Sequence, residues 1–267
     1  NISLEFACAH KGELAQLLLW CATSAHPAMQ KVAVAWRQHG LVAGAAALVQ
    51  YFTEEKEFEP SLAAALRIED LKVHTKHAEK YLEDRYKFQR VSGTVPRGAD
   101  GRLDWKWGAR GDVQWAYLLN RLTHWWDLFV KFLGTRDSRF IDRINSEAMD
   151  WFESNPYVDQ TLTHPVWRPL EASRRAYESW VPLLLAEHRY NERVFTSEVR
   201  LLLLHSVWLH ADKLMNHHTP EGNHLHAEMI SLAVLALAFP EFSEGQGWLE
   251  YSLQTYAREV TSEVYPD

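Results

Sequence analysis

Hydrophobic residues recur at helical spacing along most of the chain. In DVQWAYLLNRLTHWWDLFVKFLG (112–134) the apolar positions fall three and four residues apart, and Gly134 ends the pattern. A second apolar stripe runs through SRFIDRINSEAMDWFESNP (138–156) and stops before Pro156. Because a short polar connection separates the two stripes, the pattern predicts a helical hairpin.

The same periodicity predicts helices in most of the remaining sequence, and strand signals are weak. The segment 91–111, VSGTVPRGADGRLDWKWGARG, is rich in glycine, proline and arginine and predicts a long loop. We therefore expect an all-α chain that forms one domain over 1–267, with N-terminal helices in 1–90, a loop in 91–111 and three helical hairpins in 112–267. The other predicted helices lie near 11–22, 27–52, 60–68, 72–89, 169–187, 191–215, 223–239 and 244–264.

The three hairpins repeat at a constant interval. Their first helices are predicted to begin near Asp112, Trp167 and Gly222, which are 55 residues apart. A fixed period of two helices is typical of an array in which each pair packs on its neighbour, as an open solenoid or a closed toroid. Parallel units would place the starts of their first helices on one rim, where free N–H groups favour an anionic ligand. The polar and aromatic residues at these starts are Trp115, Asn120, Arg121, Trp167, Arg168, Glu171, Arg174, Asn223, His224 and Glu228.

Composition limits the partners that this rim could have. The 267 residues are 47% hydrophobic and carry a net charge of −7, which argues against a general nucleic-acid binder. Between Arg85 and Arg121, however, eight Lys/Arg face three Asp/Glu, so an anionic ligand would meet a local basic patch. The longest apolar runs, such as 229–239, are too short for a membrane span. We therefore expect neither a nucleic acid nor a membrane as partner.

Metal binding is not expected. Cys8 and Cys21 form no C-x-x-C pair and are too few for a disulfide scaffold. The histidines around the third helix start do not fit the His-Glu-x-x-His spacing of zinc enzymes. We expect no metal and no cofactor. These histidines are His217, His218, His224 and His226, with Glu228 beside them.

Several rim residues have two interpretations from sequence alone. Asn223 can be a helix cap, a role that asparagine fills readily, or a ligand-binding amide. Arg168 and Glu171 can form an ion pair within one helix turn or face a cleft. In the predicted loop, Trp105 and Trp107 have little around them to bury them, so we expect them to stack on sugars. The loop arginines that could reach sulfate or carboxylate groups, or be merely solvated, are Arg97 and Arg102.

Four segments resemble the toroid part of heparinase III-type polysaccharide lyases, the heparan-sulfate lyases of the heparinase II/III superfamily. They are VQWAYLLNRLTHWW, VWRPLEASRRAYESW, GNHLHAEMISLAVLALAFPEF and the terminal EVTSEVYPD. A weaker likeness continues upstream through HAEKYLEDRY and GAAALVQYF, from about residue 30. The resemblance implies an incomplete (α/α) toroid followed by a β-sandwich domain, in an exported bacterial enzyme of the periplasm or exterior. It also implies β-elimination of an acidic glycosaminoglycan, with that polysaccharide as the partner.

The resemblance assigns roles to the third helix start. Asn223 corresponds to the asparagine that the family places against the uronate carboxylate, and in the related alginate lyases the next histidine, here His224, shares this duty. Removal of the C5 proton requires that this carboxylate be neutralised and the developing enolate stabilised. Hydrogen bonds that strengthen as this charge develops accelerate the reaction.

The chain departs from the family pattern at its C-terminus. The family's proton-transfer tyrosine follows the asparagine by a little over fifty residues, after a Tyr-x-Asp-Gly turn, and the sequence stops inside that turn, at Tyr265-Pro266-Asp267. A later histidine of the sandwich region is also missing. We therefore expect a toroid fragment with half an active site and little activity alone. The alternatives are an alginate or oligoalginate lyase domain, and a non-catalytic helical scaffold that binds acidic polysaccharides.

Overall fold

The computed structural model describes residues 2–66, 75–159 and 161–263. Its N-terminal part is helical, as expected, although the predicted helix over 27–52 is divided. Gly40, with φ of 86°, separates two helices, and Gly44 lets them approach so closely that an added Cβ would lie 2.7 Å from the Trp36 Cβ. A π-helical turn, Tyr51–Glu55, follows the second of them. The five helices are α1 (Leu4–Ala9), α2 (Lys11–Ala22), α3 (Pro27–His39), α4 (Leu41–Gln50) and α5 (Pro60–Ala65).

A β-hairpin replaces part of the predicted helix over 72–89 and the start of the predicted loop. In the described part of this region, the helical elements are a 3₁₀ turn (Thr75–His77) and α6 (Ala78–Tyr81); residues 72–74 lie outside the described residues. Strands β1 (Arg85–Phe88) and β2 (Val91–Thr94) pair antiparallel. The two turn residues, Gln89 and Arg90, have φ of 46° and 69°, the backbone of a type I′ turn without its usual asparagine and glycine.

The first of the three predicted hairpins is confirmed, but its first helix is interrupted. It consists of α7 (Val113–Leu119), α8 (His124–Thr135) and α9 (Arg139–Ser154). The chain turns between α7 and α8, where Leu122 has φ of 57°. Asn120 stabilises this turn, because its side-chain amide donates to the Trp105 carbonyl at 2.6 Å and to the Ala116 carbonyl at 2.9 Å.

The second and third hairpins follow with the predicted topology. The second contains α10 (Pro169–Arg175), a π-helical turn (Ala176–Trp180), α11 (Val181–Tyr190) and α12 (Ser197–Asn216). Pro182 lacks an N–H group, which accounts for the irregular turn that precedes it. The third hairpin contains α13 (Gly222–Ala238) and α14 (Gly245–Glu263).

Hydrogen bonds between residues one repeat apart align the first helices of the hairpins. These helices begin at Val113, Pro169 and Gly222. Ser179 donates to the Leu122 carbonyl at 2.9 Å, and Ser231 donates to the Ser173 carbonyl at 3.0 Å. Helix α12 contacts both α9 and α14 in a second layer. The arrangement is an incomplete (α/α) toroid, which confirms the predicted fold class.

A buried ion pair joins the N-terminal helices to the last hairpin. The Lys56 ammonium lies 2.6 Å from a Glu241 carboxylate oxygen, and the Tyr51 hydroxyl donates to the same oxygen at 2.7 Å. Aromatic rings surround the ammonium, with the Phe58 centroid at 4.7 Å. A hydrophobic cluster extends from the N-terminal helices through all three hairpins. Among the helices described, none is both long and apolar enough to cross a bilayer.

Candidate functional site

One buried carboxylate binds two arginines where the first two hairpins meet. Arg121, just after α7, donates from Nε to Glu171 Oε2 at 2.6 Å, and Arg168, just before α10, donates from Nη1 to Oε1 at 3.3 Å. Glu171 is completely buried, whereas the two arginine side chains are 24% and 19% exposed. Arg168 also lies over the Tyr117 ring, 4.7 Å from its centroid. Two arginines and one carboxylate give the cluster a net positive charge. Arg168 and Glu171 pair within one helix turn, whereas Arg121 and Glu171 pair between hairpins.

A fully buried arginine holds the backbone that carries this cluster. Arg175 donates to the carbonyl of Asn120, the residue before Arg121, and to the carbonyl of Val166, two residues before Arg168. Its guanidinium packs on three indoles, of which Trp151 is nearest at 4.4 Å from the ring centroid. Burial lowers the pKa of Arg175 to about 9, although the nearby Glu171 carboxylate opposes this effect.

The third nitrogen of this guanidinium fixes the tautomer of a buried histidine. Arg175 Nε donates to His210 Nε2 at 2.9 Å, so the other ring nitrogen donates to the Ser206 carbonyl at 2.7 Å. Burial and the Arg175 charge hold the pKa of His210 well below its usual range. A neutral imidazole and two carbonyls therefore satisfy the guanidinium without a carboxylate in hydrogen-bond contact.

The third helix start presents an exposed amide. Helix α13 begins at Gly222, and Glu221 occupies the cap position, so the prediction that Asn223 could be the helix cap is wrong. Asn223 is the second helical residue and is exposed, and its side chain makes no hydrogen bond to the residues that the structure describes. His224 beside it is half-buried.

The loop before α13 is fixed by a buried carboxylate. Glu228 accepts hydrogen bonds from the Thr219 backbone N–H and hydroxyl, both at 2.7 Å. Burial raises the pKa of Glu228, while the hydrogen bonds from Thr219 oppose the rise. Helix α10, which Arg168 precedes, packs against α13, because the Ser173 hydroxyl donates to the Ala227 carbonyl at 3.0 Å.

A second contact holds the same loop on α14. His218 Nδ1 donates to the Thr219 carbonyl at 2.7 Å, so in the neutral ring Nε2 accepts from the Tyr251 hydroxyl, also at 2.7 Å. Gly222 N donates to Glu259 Oε1 at 2.7 Å. These contacts fix the position from which Asn223 projects. In the described part of the chain, no group of three or more His, Cys, Asp or Glu side chains is arranged to hold a metal ion.

Three residues that we expected to contact ligand are instead core residues. Trp105 is 2% exposed and its Nε1 donates to Asp150 at 3.3 Å, so the prediction that it stacks on a sugar is wrong. Trp115 is also 2% exposed and donates to the Val91 carbonyl at 3.2 Å. Asn120 is completely buried. Each of the three has its polar atoms satisfied inside the protein.

The remaining predicted residues lie around the basic loop rather than between the helix starts. Arg97 forms a two-pronged ion pair with Asp84, at 2.6 and 2.8 Å, and Arg102 donates to Glu153 at 2.6 Å. Both arginines therefore hold the loop in place. Trp107 is half-buried and packs edge-on against Trp115, with centroids 5.2 Å apart. The Trp107 ring therefore remains partly accessible to solvent.

The structure adds one histidine that sequence reasoning missed. His164 Nδ1 accepts from the N–H groups of Val166 and Trp167, both at 3.2 Å, and so shapes the entry to α10. Burial lowers the pKa of His164, and the charges of Lys106 and Lys213 lower it further. A histidine two residues before an N–H donor is a turn signal. Lys106 itself belongs to the basic excess already counted between Arg85 and Arg121.

Comparison with known proteins gives consistent matches. The family model described as heparinase II/III N-terminus matches residues 23–267. A heparin-sulfate lyase of Bacteroides stercoris is 25% identical, in an alignment that covers 91% of this chain and 38% of the lyase. The heparan sulfate lyase HepC of Pedobacter heparinus has a TM-score of 0.71 at 25% identity, covering 91% of this chain and 38% of HepC.

A heparinase III structure is similar in fold over nearly the whole chain. It has a TM-score of 0.74 at 19% identity, covering 96% of this chain and 40% of the heparinase. The chain therefore spans about two fifths of the length of the relatives that it matches.

Proposed function

The chain belongs to the heparinase II/III family, as the match over residues 23–267 shows, and we propose that it forms one wall of the substrate cleft of a polysaccharide lyase. The proposed substrate is heparan sulfate or a related uronate-containing glycosaminoglycan, cleaved by β-elimination. We place the parent enzyme in the periplasm or outside the cell as part of this proposal. A polymeric polyanion does not cross a bilayer unaided, because each buried charge is costly there.

The observation that carries the proposal is the exposed amide of Asn223 at the start of α13, a helix that packs against α10, whose start carries Arg168. Elimination removes the C5 proton of a uronate, and that proton becomes acidic only when the adjacent carboxylate is neutralised. The Asn223 amide donates to a carboxylate oxygen in this proposal, and the first N–H groups of α13 add partial positive charge. Such donors stabilise the transition state more than the ground state, because charge builds up on these oxygens during proton removal.

The arginine cluster supplies the remaining charge. Arg121 and Arg168 share one carboxylate, so the cluster keeps a net positive charge and N–H donors beyond those that Glu171 accepts. Lys106 lies near the same helix start. We assign these groups to the carboxylate and sulfate groups of sugars beside the cleaved bond. His224 is assigned to the same carboxylate as Asn223, and Trp107 to sugar stacking.

Heparan sulfate is the preferred substrate in this proposal. The curated relative is a heparin-sulfate lyase, and HepC at 25% identity is a heparan sulfate lyase. Because this chain spans 38% of either protein, we propose that it binds the polysaccharide alone but needs the rest of the parent enzyme for proton transfer.

Ligand titration tests the proposal on the chain itself. Oligosaccharides of heparan sulfate and of alginate are added at two salt concentrations while intrinsic tryptophan fluorescence is followed. We expect heparan sulfate to bind more tightly, with an affinity that falls as salt rises. Arg121→Gln should weaken binding, whereas Arg193→Gln, in the connection before α12, serves as a matched control. Binding of neither polysaccharide, or equal binding by wild type and Arg121→Gln, would overturn the proposal.

A further inference from the structure

A second basic cavity lies on the β-hairpin, outside the cleft described above. It has a volume of about 280 Å³ and is bordered by α6 and by both strands. Four of its lining residues are basic, namely His77, Lys80, Arg85 and Lys87, and two carry hydroxyl groups, Ser92 and Thr94. All of these groups except the imidazole are exposed at the cavity mouth.

The lysines and the arginine that line this cavity meet little opposite charge among the described residues. No acidic residue is among its described lining residues, although the chain as a whole carries a net charge of −7. Glu79, next to Lys80 in sequence, pairs instead with Lys131 on α8 at 2.8 Å. Glu83 pairs with Arg85 at 3.0 Å, but both side chains are more than half exposed, so this pair is weak. Within the residues described, the ammonium groups of Lys80 and Lys87 form no ion pair.

The floor of the cavity is rigid. The Tyr86 hydroxyl donates to Glu147 at 2.6 Å and accepts from Arg143 at 2.7 Å, and the Tyr81 hydroxyl donates to Asp127 at 3.0 Å. The two tyrosine rings stack with centroids 5.5 Å apart. Because the floor is held by these bonds, a ligand need not order it on binding, and less of the interaction energy is lost to that ordering.

The hairpin is attached to the first helix of the cleft. Trp115 on α7 donates to the Val91 carbonyl of β2 at 3.2 Å, and the Phe88 ring of β1 packs on the same indole at 5.0 Å. Helix α7 leads directly to Arg121. The hairpin is therefore fixed relative to the helix that precedes Arg121.

We propose that this cavity, which we call the hairpin pocket, is an accessory subsite that binds a sulfate group of an acidic polysaccharide. The assignment to a polysaccharide rests on the proposed function, whereas the assignment to sulfate rests on the basic and hydroxyl donors alone. Ammonium, guanidinium and hydroxyl groups together provide donors for the three outer oxygens of a sulfate ester. The subsite would distinguish sulfated from unsulfated chains at a distance from the reacting uronate.

A double substitution, Lys80→Gln with Lys87→Gln, tests the polysaccharide part of the inference. Binding of sulfated heparan sulfate oligosaccharides should weaken about 5- to 20-fold at low salt, and the slope of affinity against salt should become shallower. Binding of an unsulfated chain with the same backbone should not change. Lys11→Gln with Lys31→Gln, on the N-terminal helices, is the matched control. Unchanged binding of the sulfated chain, or equal weakening for both chains, would refute the subsite.

Inorganic sulfate separates failure of the pocket from failure of the proposed function. It is titrated into wild type and the double variant while backbone amide chemical shifts are recorded. Saturable shifts in residues 85–94 of wild type, lost in the variant, support the pocket even if no polysaccharide binds. Absence of such shifts overturns the pocket and leaves the cleft assignment intact. Thermal melting of both proteins checks that the substitutions leave the fold unchanged.

Discussion

The Arg121 guanidinium and the Glu171 carboxylate meet at 2.6 Å across the boundary between the first and second hairpins. A completely buried carboxylate is stable only when cations or N–H donors replace the water that it has lost. Arg121 supplies the shorter of the two ion pairs and comes from a different repeat. The pair therefore joins adjacent repeats and also holds a cation at the candidate cleft.

Removal of Arg121 should destabilise the fold more than removal of Arg168. Arg121→Ala leaves the buried Glu171 with one cation at 3.3 Å, and we expect a loss of about 2–4 kcal/mol in the free energy of unfolding. Arg168→Ala leaves the shorter pair intact and should cost less. Denaturant unfolding measures both, with Arg193→Ala as an exposed control. Equal losses for Arg121→Ala and Arg168→Ala would contradict this account of the pair.

The helical repeat was predictable because its cause is local. Apolar spacing and a proline boundary indicate where the helices lie, although α8 ends at Thr135 and not at Gly134. The constant interval indicates how the hairpins stack. The bonds from Ser179 to Leu122 and from Ser231 to Ser173 join residues one repeat apart, as parallel stacking requires. The positions of Arg168 and Asn223 at successive helix starts follow from the same interval.

The errors in prediction arise from tertiary contacts that leave no local pattern. Trp105 lies in a segment rich in glycine and charge, yet α9 supplies the carboxylate of Asp150 that binds its indole N–H. The β-hairpin was missed because Gln89 and Arg90 are not the residues that usually signal its turn. Arg175 has the sequence context of an exposed helical arginine, and only the fold brings three indoles around it.

Substitution of the turn should stabilise the hairpin. Gln89 and Arg90 have positive φ, which disfavours residues with a Cβ, whereas Asn-Gly adopts a type I′ turn readily. We expect Gln89→Asn with Arg90→Gly to increase the free energy of unfolding by about 1 kcal/mol. Thermal melting measures the change. Asn-Gly introduced at 136–137, where only the first residue has positive φ, is the control and should give a smaller gain or a loss.

Glu147 should make the protein sensitive to acid. Burial by itself raises the pKa of this carboxyl, but the Arg143 charge and the hydrogen bonds from His124 and Tyr86 outweigh it, so the pKa lies well below its usual range. A depressed carboxyl pKa contributes stability that is fully present above the ordinary value of 4.5 and is lost as the pH falls through the folded value.

The test compares wild type with Glu147→Gln across this pH range. The variant should be less stable at neutral pH, and its free energy of unfolding should fall less steeply between about pH 5 and pH 3. Asp142→Asn, at an exposed position on the same helix, controls for general charge effects. Parallel pH profiles for wild type and Glu147→Gln would show that the buried network does not hold this carboxyl in its charged form.

Arg175 should be intolerant of lysine although the charge is kept. An ammonium carries its three N–H donors on one nitrogen, so it cannot reach the Asn120 carbonyl, the Val166 carbonyl and His210 as three separate guanidinium nitrogens do. Arg175→Lys should therefore leave buried acceptors unpaired and cost about 2–4 kcal/mol. Arg174→Lys is the neighbouring control and should be nearly neutral, because Arg174 is partly exposed and its ion pair with Glu178 is partly exposed too. Denaturant unfolding measures the free energy of unfolding of both variants. Equal losses for Arg175→Lys and Arg174→Lys would contradict the role given to Arg175.

Asn223 should matter for turnover and not for folding. Its side chain is exposed and unpaired within the described part of the chain, so Asn223→Ala should leave the free energy of unfolding almost unchanged. In the full-length parent enzyme, loss of a donor to the developing enolate should lower kcat about 100- to 1000-fold. Formation of the unsaturated uronate product is followed by ultraviolet absorbance. Asn216→Ala, an exposed asparagine at the end of α12, should retain normal turnover. An unchanged kcat of the parent enzyme carrying Asn223→Ala would show that this amide takes no part in the mechanism. A loss of stability large enough to explain the loss of rate would instead indicate a structural role.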